Sequence, residues 1–202
     1  AYALTFASLL LTGGKLGDLL GRRKIFIIGL TVFTLSSLAC GLSSSAPQLI
    51  GARAVQGIGA ALMMPATLSI ISATFSVKER SMAIGIWAGV SAMALAIGPL
   101  LGGIITEQWS WNWIFFINVP VGIIGIVVAR LVISESRDTS PDQRLDLPGL
   151  LSSALALFAL TYGLIESNQR SFTDGLVLGC LAVAAVLLAV FVIVELRSTQ
   201  PM

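Results

Sequence analysis

Two groups of charged or polar residues stand out in a chain that is otherwise rich in apolar residues. The stretch GGKLGDLLGRRK, residues 13–24, places Asp18 close to Arg22 and Arg23. These groups can form ion pairs, and the carboxylate can bind the positive N-terminal end of a helix. Arg53, followed by Gln56, stands in a long apolar run. A guanidinium there costs about 3 kcal/mol on insertion scales, so it requires a partner or a water-filled cavity.

The elements that must position these residues are membrane helices. Of the 202 residues, 56% are hydrophobic and only 11% are charged, and the mean hydropathy is +0.94. About a quarter of the residues of soluble proteins are charged. Lipid offers no partner to backbone polar groups, and the apolar runs lack the alternating pattern of barrel strands. The predicted fold class is therefore all-α, a polytopic helix bundle embedded in the lipid bilayer.

Each complete apolar run is long enough to cross a hydrocarbon core of about 30 Å, which takes roughly 20 helical residues. Six complete runs and one shortened run can be read, at 25–42, 54–75, 83–105, 113–132, 147–165 and 175–194, with the shortened one at 1–12. The chain opens inside an apolar run, with no initiator Met and no basic leader. We therefore expect a fragment of a longer protein and not a signal-bearing precursor.

The basic residues orient these runs. When the runs are counted alternately across the bilayer, ten of the twelve Lys and Arg residues fall on one side, Arg170 on the other, and Arg53 on neither. By the positive-inside rule, the Lys/Arg-rich loops around 15–24, 77–80 and 130–146 are predicted to be cytoplasmic. Three tryptophans, Trp109, Trp111 and Trp113, fit an outer interfacial belt. The predicted location is a cell membrane, inner or plasma, crossed many times.

The longest polar segment, SESRDTSPDQRLD, divides the chain. We predict an incomplete N-terminal helical bundle over residues 1–133, a cytoplasmic linker over 134–146, two extra transmembrane helices over 147–196, and the start of the next loop over 197–202. Asp146 is placed to cap the helix that follows the linker.

Several classes of site are not expected. Cys40 and Cys180 lie singly in apolar runs and the chain has no His, so we predict neither a disulfide framework nor a metal site. The pair Gly57-x-Gly59 is not a nucleotide fingerprint, because no strand precedes it and the third glycine is lacking. We predict no enzyme activity and no nucleic-acid partner.

Within the stretch GGKLGDLLGRRK, residues 14–24 match the pattern Gly-x-Leu-x-Asp-x-x-Gly-Arg-Arg-Lys. This resembles the signature loop of the major facilitator superfamily, which joins the second and third helices on the cytoplasmic face. LIGARAVQGIGAA, residues 49–61, resembles a signature in the fourth helix of proton-coupled members. GIWAGVSAMALAIGPLLGGII, residues 85–105, resembles the fifth-helix antiporter signature, with Ala94 where the pattern usually has Gly.

WSWNWIFFINVPVGI, residues 109–123, resembles the start of the sixth helix in the fourteen-helix drug:proton antiporter branch, with Asn112 where a basic residue is frequent. The two runs after the linker also fit that branch. The resemblance covers essentially the whole chain. It implies a partial major facilitator fold, helices 2 to 8 of a probable fourteen, lacking the first helix and the C-terminal half.

The resemblance implies roles for three groups of residues. Contacts of the gating loop would bias the side of the membrane to which the transporter is open, with Asp18 meeting a helix N-terminus in the other half of the protein. The alternative is that the loop is only a positive-inside anchor with a tight turn. Arg53 would assist proton coupling by lowering the pKa of an acid or exchanging partners with it; the alternative is an Arg side chain that snorkels to the outer interface. The residues are Gly14, Asp18, Gly21, Arg22 and Arg23 for the gating loop, Arg53 and Gln56 for coupling, and Gly85, Gly98, Pro99, Gly102 and Gly103 for the hinge and packing of the antiporter helix.

Geometry adds three expectations. Gln56, Gly57, Ala60, Met64 and Thr67 share the helix face of Arg53 and make it a polar and small-residue face, on which Arg53 is expected to meet a wet cavity or a partner. Pro99 is expected to bend its helix, and two small-residue stripes on that helix are expected to pack against two neighbours. The complete runs hold no central Asp or Glu, so the proton-carrying carboxylate is expected outside this chain. Candidate substrate-lining residues are Tyr2, Thr5, Met64, Thr67 and Met93.

The function implied is secondary active efflux of drugs or other amphipathic or cationic small molecules in exchange for protons, by alternating access. The proton gradient supplies the energy, no cofactor is expected, and the protein is expected to be a monomer. One alternative is a membrane scaffold or sensor that retains a transporter fold, although a scaffold has no need of a buried Arg53. Another is a carrier for a metabolite that is not a drug. We predict no transport by the fragment alone.

Overall fold

The computed structural model describes residues 1–137 and 146–197, and this part of the chain contains helices but no strands. Because α5 and α6 together form one span, the described residues contain seven helical segments long and apolar enough to cross a membrane. The predicted all-α membrane bundle is confirmed. The helices are α1 (Tyr2–Leu20), α2 (Arg22–Gly41), α3 (Ala46–Thr74), α4 (Val77–Gln108), α5 (Trp113–Phe116), α6 (Asn118–Val132), α7 (Leu147–Glu166) and α8 (Gly175–Arg197).

The first helix is longer than its apolar run predicts. It continues past Thr12 to Leu20, so most of the predicted gating loop is helical and only Gly21 separates α1 from α2. Leu16, Leu19 and Leu20 favour a helix, and Gly13 and Gly17 are buried where α1 packs. Gly21 has φ 110°, a backbone conformation that residues with a Cβ rarely adopt. A glycine is therefore required at the point where the chain reverses.

The core of the bundle is built from close approaches between helix backbones. α3 packs against both α1 and α2. A Cβ at Gly59 would lie 2.6 Å from the backbone N of Phe33 and 2.8 Å from the carbonyl O of Gly29 in α2. On the α1 side, a Cβ at Gly13 would overlap the carbonyl of Ala61. Small residues thus let three helices approach closely, as is common in membrane proteins.

The remaining helices attach to this core unequally. α6 packs on α2, α7 packs on α1, and α8 packs on α7. α4 has no buried residue among those that the structure describes. At the start of α7, the side chain of Asp146 accepts a hydrogen bond from the backbone N–H of Gly149, so the predicted cap is confirmed.

The predicted linker and tail are described only in part. Residues 138–145 and 198–202 lie outside the described residues, and the predicted linker of 134–146 and terminal loop of 197–202 fall largely on them. The contacts between helix ends nevertheless agree with helices that cross the membrane in alternating directions. The segment after α6 contacts the turn at Gly21 at one end of the bundle, and Asn112 contacts Gly41 at the other. Which of these ends faces the cytoplasm stays a prediction.

Candidate functional site

Arg53 lies near one end of α3, about 10 Å along the helix axis from Ala46. Its Nη1 donates a hydrogen bond of 2.6 Å to Oε1 of Gln56. Its guanidinium carbon lies 4.3 Å from the ring centroid of Tyr2 in α1 and 5.6 Å from that of Phe115 in α5. Aromatic faces at these distances attract a cation. Three elements therefore surround the half-buried guanidinium.

The partners of Arg53 are electrically neutral. None of the ion pairs between described residues includes it. Its hydrogen bond runs towards Gln56, one turn further from the near end of α3. Its ring partners Tyr2 and Phe115 lie at the same end of the bundle as the start of α3, so the snorkelling alternative stays a prediction beside the coupling role. Arg53 is thus a held, partly buried cation that a carboxylate could still approach.

Gln56 is 1% exposed and continues the chain of hydrogen bonds. Its Nε2 donates to Oγ of Ser37 in α2 at 2.7 Å. Nδ2 of Asn118, the first residue of α6, donates to the same oxygen at 3.0 Å. Ser37 and Asn118 were not among the predicted site residues. The available signal was that both are polar residues in apolar runs, where such side chains often bond across helices.

The α3 face that Arg53 shares with small and polar residues is in large part a packing surface. Gln56, Gly57 and Ala60 are buried, and a Cβ at Gly57 would overlap Thr5 and lie 2.5 Å from the carbonyl O of Tyr2. Of the two expected surroundings, these three positions meet partner helices, because their small or amide side chains permit close approach to α1 and α2. Val55 and Ile58, on the opposite side, are exposed.

A depression of about 380 Å³ lies next to Arg53, between the start of α1 and α3. Of the five predicted substrate-lining residues, only Tyr2 contributes to it. Thr5 instead donates a 2.9 Å hydrogen bond to the carbonyl of Ala54, Thr67 donates to the carbonyl of Met63, and Met64 and Met93 are exposed. The lining of this depression is Ala1, Tyr2, Ala3, Leu49, Ile50 and Arg53.

The gating loop contains an ion pair across its turn. Nη2 and Nε of Arg22 donate to Oδ1 of Asp18 at 2.8 and 3.0 Å, so Arg22 pairs with a carboxylate of the loop itself. The guanidinium of Arg23 donates to the carbonyl of Ile133 and binds no described carboxylate. Gly14 lies against Pro65 of α3. The predicted contact between Asp18 and a helix N-terminus in another half of the protein stays a prediction.

A carboxylate that the sequence analysis did not single out binds this loop. The two oxygens of Glu135 accept the backbone N–H groups of Arg23 at 3.0 Å and Lys24 at 3.1 Å. The N–H of Arg22 donates to the carbonyl of Ser136 at 2.8 Å. A carboxylate at a helix N-terminus satisfies free N–H groups and interacts favourably with the helix dipole. The segment after α6 therefore fixes the N-terminus of α2.

Glu135→Ala is expected to destabilise the protein by about 1 kcal/mol, because it removes an N-terminal cap from α2. Gly21→Ala is expected to cost about 1–3 kcal/mol, since Gly21 has φ 110° and its Cβ would lie 2.8 Å from the Glu135 carboxylate. The measurement is the apparent melting temperature of purified protein in detergent. Glu107→Ala, which removes an exposed acid at the other end of the bundle, is the control. A melting temperature unchanged in both test variants would contradict the described turn.

The antiporter-like residues of α4 have no described neighbour. A Cβ added at Gly85, Gly98, Gly102 or Gly103 would meet no atom within 4 Å, and Pro99 lies inside a helix that continues to Gln108. The two neighbours expected for the small-residue stripes are absent from the part of the chain that the structure describes. The hinge and packing roles of these residues stay predictions.

Asn112 stands where the resemblance would place a basic residue. Its Nδ2 donates a 2.7 Å hydrogen bond to the carbonyl of Gly41, the last residue of α2. The carbonyls at the C-terminal end of a helix lack intrahelical partners, and a basic side chain often binds them. Asn112 thus makes a contact of the kind that a Lys or Arg could make.

Comparison with known proteins finds a family model and individual relatives that each match nearly the whole chain. The family model described as Major Facilitator Superfamily matches residues 1–200. The tetracenomycin C resistance and export protein of Streptomyces glaucescens is 37% identical over 201 residues, covering 100% of this chain and 37% of the relative. The multidrug resistance protein Stp of Mycobacterium tuberculosis is 39% identical, covering 100% and 38%.

The methylenomycin A resistance protein of Streptomyces coelicolor is 41% identical over 203 residues, covering 99% of this chain and 42% of the relative. The chain thus spans about two fifths of the length of these relatives. The similarity extends across the gating loop, the Arg53 site and the α7–α8 pair alike.

Proposed function

Because the chain belongs to the major facilitator superfamily, we propose that it forms part of a transporter that exports drugs or other small amphipathic or cationic molecules in exchange for protons. Relatives named for antibiotic resistance and export support the direction of transport. The proposed partners are a small-molecule substrate, protons and the lipid bilayer, and the proposed state is a monomer in a cell membrane with the Lys/Arg-rich loops in the cytoplasm. The proton gradient supplies the energy and no cofactor takes part.

The observation that carries the proposal is the environment of Arg53. Its guanidinium is held by the Gln56 amide and two aromatic faces, so no described anion neutralises it. An ionised carboxylate that approaches Arg53 gains electrostatic stabilisation, and its pKa falls; protonation ends the attraction. Arg53 can therefore bind one protonation state of a carrier acid and release the other. We place that acid outside the described residues.

Coupling also requires that the site face each side of the membrane in turn. The ion pair of Asp18 with Arg22 and the Glu135 contacts with α2 hold the gating loop in one arrangement. Exchange of the partners of Asp18 would change the relative stability of the two open states. α4, with Pro99 inside it and small residues along it, is the proposed moving helix.

The test is export by the full-length gene product in efflux-deficient cells. Cells are loaded with ethidium, and its retention is followed with a proton gradient and after a protonophore collapses it. We expect export with the gradient and retention close to that of empty-vector cells without it. Export that persists after collapse would contradict proton antiport. Absence of export for ethidium and a panel of antibiotics would favour a non-drug carrier or a scaffold.

A further inference from the structure

The hydrogen bonds around Gln56 connect the coupling site to two further helices. Arg53 and Gln56 lie on α3, Ser37 on α2 and Asn118 on α6. The successive donor–acceptor distances are 2.6 Å from Arg53 to Gln56, 2.7 Å from Gln56 to Ser37, and 3.0 Å from Asn118 to Ser37. A set of four side chains thus links three helices.

The chemistry of the groups fixes the orientation of Gln56. A guanidinium has only donors, so the Gln56 amide must turn its oxygen towards Arg53. Its NH₂ group then faces α2 and requires an acceptor, because a buried donor without an acceptor destabilises the folded protein. Oγ of Ser37 is that acceptor, at a position where Ser37 is 0% exposed. Removal of this oxygen would leave the Gln56 NH₂ group without its acceptor, so the Gln56 side chain would be held less firmly against Arg53.

Asn118 acts on the same oxygen from the opposite side. It is the first residue of α6, directly after the break between α5 and α6. Its Nδ2 donates to Oγ of Ser37, so this oxygen accepts two hydrogen bonds. Two donors on one hydroxyl oxygen limit the rotation of the Ser37 side chain. Asn118 thereby connects the start of α6 to the orientation of Gln56.

We propose that Ser37 and Asn118 are positioning residues that orient Gln56 and, through it, the guanidinium of Arg53, so that the packing of α2 and α6 sets the strength of proton coupling. The inference rests on the proposed function, in which Arg53 interacts with the acid that carries the proton. Neither residue lines the depression beside Arg53. Their loss should weaken the link between proton movement and export more than it weakens substrate exchange.

The neighbouring residue Ser36 provides a matched control. It is a buried serine on the same helix, 5% exposed. Its Oγ donates to the carbonyls of Val32 and Phe33 within α2. The same Ser→Ala change at this position removes a hydroxyl without touching Gln56 or Arg53.

The experiment uses full-length transporter in proteoliposomes with ethidium as the probe. Two rates are measured for each variant, gradient-driven accumulation and gradient-free exchange of ethidium, and their ratio reports coupling. For Ser37→Ala and Asn118→Ala we expect the ratio to fall about threefold to tenfold, the effect of losing about one hydrogen bond. Ser36→Ala should keep the wild-type ratio. The double variant should match Ser37→Ala, because Asn118 acts through Ser37.

A purely structural role would lower both rates together and leave the ratio unchanged. A wild-type ratio in Ser37→Ala, with an active wild-type protein, overturns this inference alone. If Ser37→Ala does not accumulate in the membrane, Asn118→Ala decides by the same ratio, since Asn118 is only half-buried. A wild-type protein whose accumulation does not respond to the gradient overturns the proposed function and this inference with it.

Discussion

Replacement of Arg53 by alanine in the full-length protein is expected to abolish gradient-driven export, with a loss of at least about a hundredfold for a charge that binds its partner in a low-dielectric site. The guanidinium lies within the span of α3, where the neutral amide of Gln56 and the ring of Tyr2 hold it. Without this positive charge, the ionised form of a carrier acid near α3 is no longer stabilised electrostatically. Ethidium export from loaded cells, measured with and without the gradient, gives the result.

Two variants define the specificity of this effect. Arg53→Lys keeps the charge but cannot reproduce the planar donor geometry, so we expect partial export. Ile58→Ala changes an exposed residue on the other side of α3 and should leave export unchanged. Gradient-driven export at the wild-type rate in Arg53→Ala would remove Arg53 from the coupling mechanism, even if the protein proved to be an exporter.

The second large effect is expected at Gly59. Gly59→Leu places a side chain where a Cβ alone would lie 2.6 Å from the backbone N of Phe33. Because the opposing atoms are backbone atoms, α2 and α3 must separate, and overpacking of this kind costs about 1–3 kcal/mol or more. For Gly59→Leu we expect little folded protein in the membrane. For the smaller change Gly59→Ala we expect folded protein with a lower apparent melting temperature than the wild type. Fluorescence size-exclusion chromatography of tagged protein measures both.

Gly51 on the same helix supplies the matched control. It lies near the start of α3 and a Cβ there would meet no atom within 4 Å. Gly51→Ala should therefore be neutral or slightly stabilising, because alanine favours a helix over glycine by about 1 kcal/mol. Equal melting temperatures for Gly59→Ala and Gly51→Ala would show that α2 and α3 do not approach as closely as described.

The apolar runs predicted the membrane helices because hydropathy over about 20 residues reports directly on transfer into lipid. The helix ends were less predictable. α1 continues to Leu20 although Lys15 and Asp18 interrupt its apolar pattern, since a charge near a helix end can reach water while its backbone stays helical. Hydropathy therefore located the span but not the single-residue turn at Gly21.

In the candidate site, Arg53 could be predicted from the sequence but several of the residues around it could not. The cost of a cation in lipid identifies Arg53 from its type alone. Ser37, Asn118 and Glu135 are distant in sequence from the groups that they bind, so their roles depend on helix packing that one sequence does not specify. The surroundings of the α3 face were left open between a cavity and a partner, because glycine and alanine permit both a wet surface and close packing, and only the neighbouring helices decide between them.

The length of α4 has a mechanical consequence. Its 32 residues extend about 48 Å, well beyond a hydrocarbon core of about 30 Å. Pro99 divides the helix unequally, with an arm of about 33 Å towards Val77 and one of about 14 Å towards Gln108. A 10° bend at Pro99 would move the far end of the long arm by about 6 Å and that of the short arm by about 2 Å. A bend at Pro99 would thus convert a small displacement of the Gln108 end of α4 into a larger displacement of the Val77 end, at the opposite membrane surface.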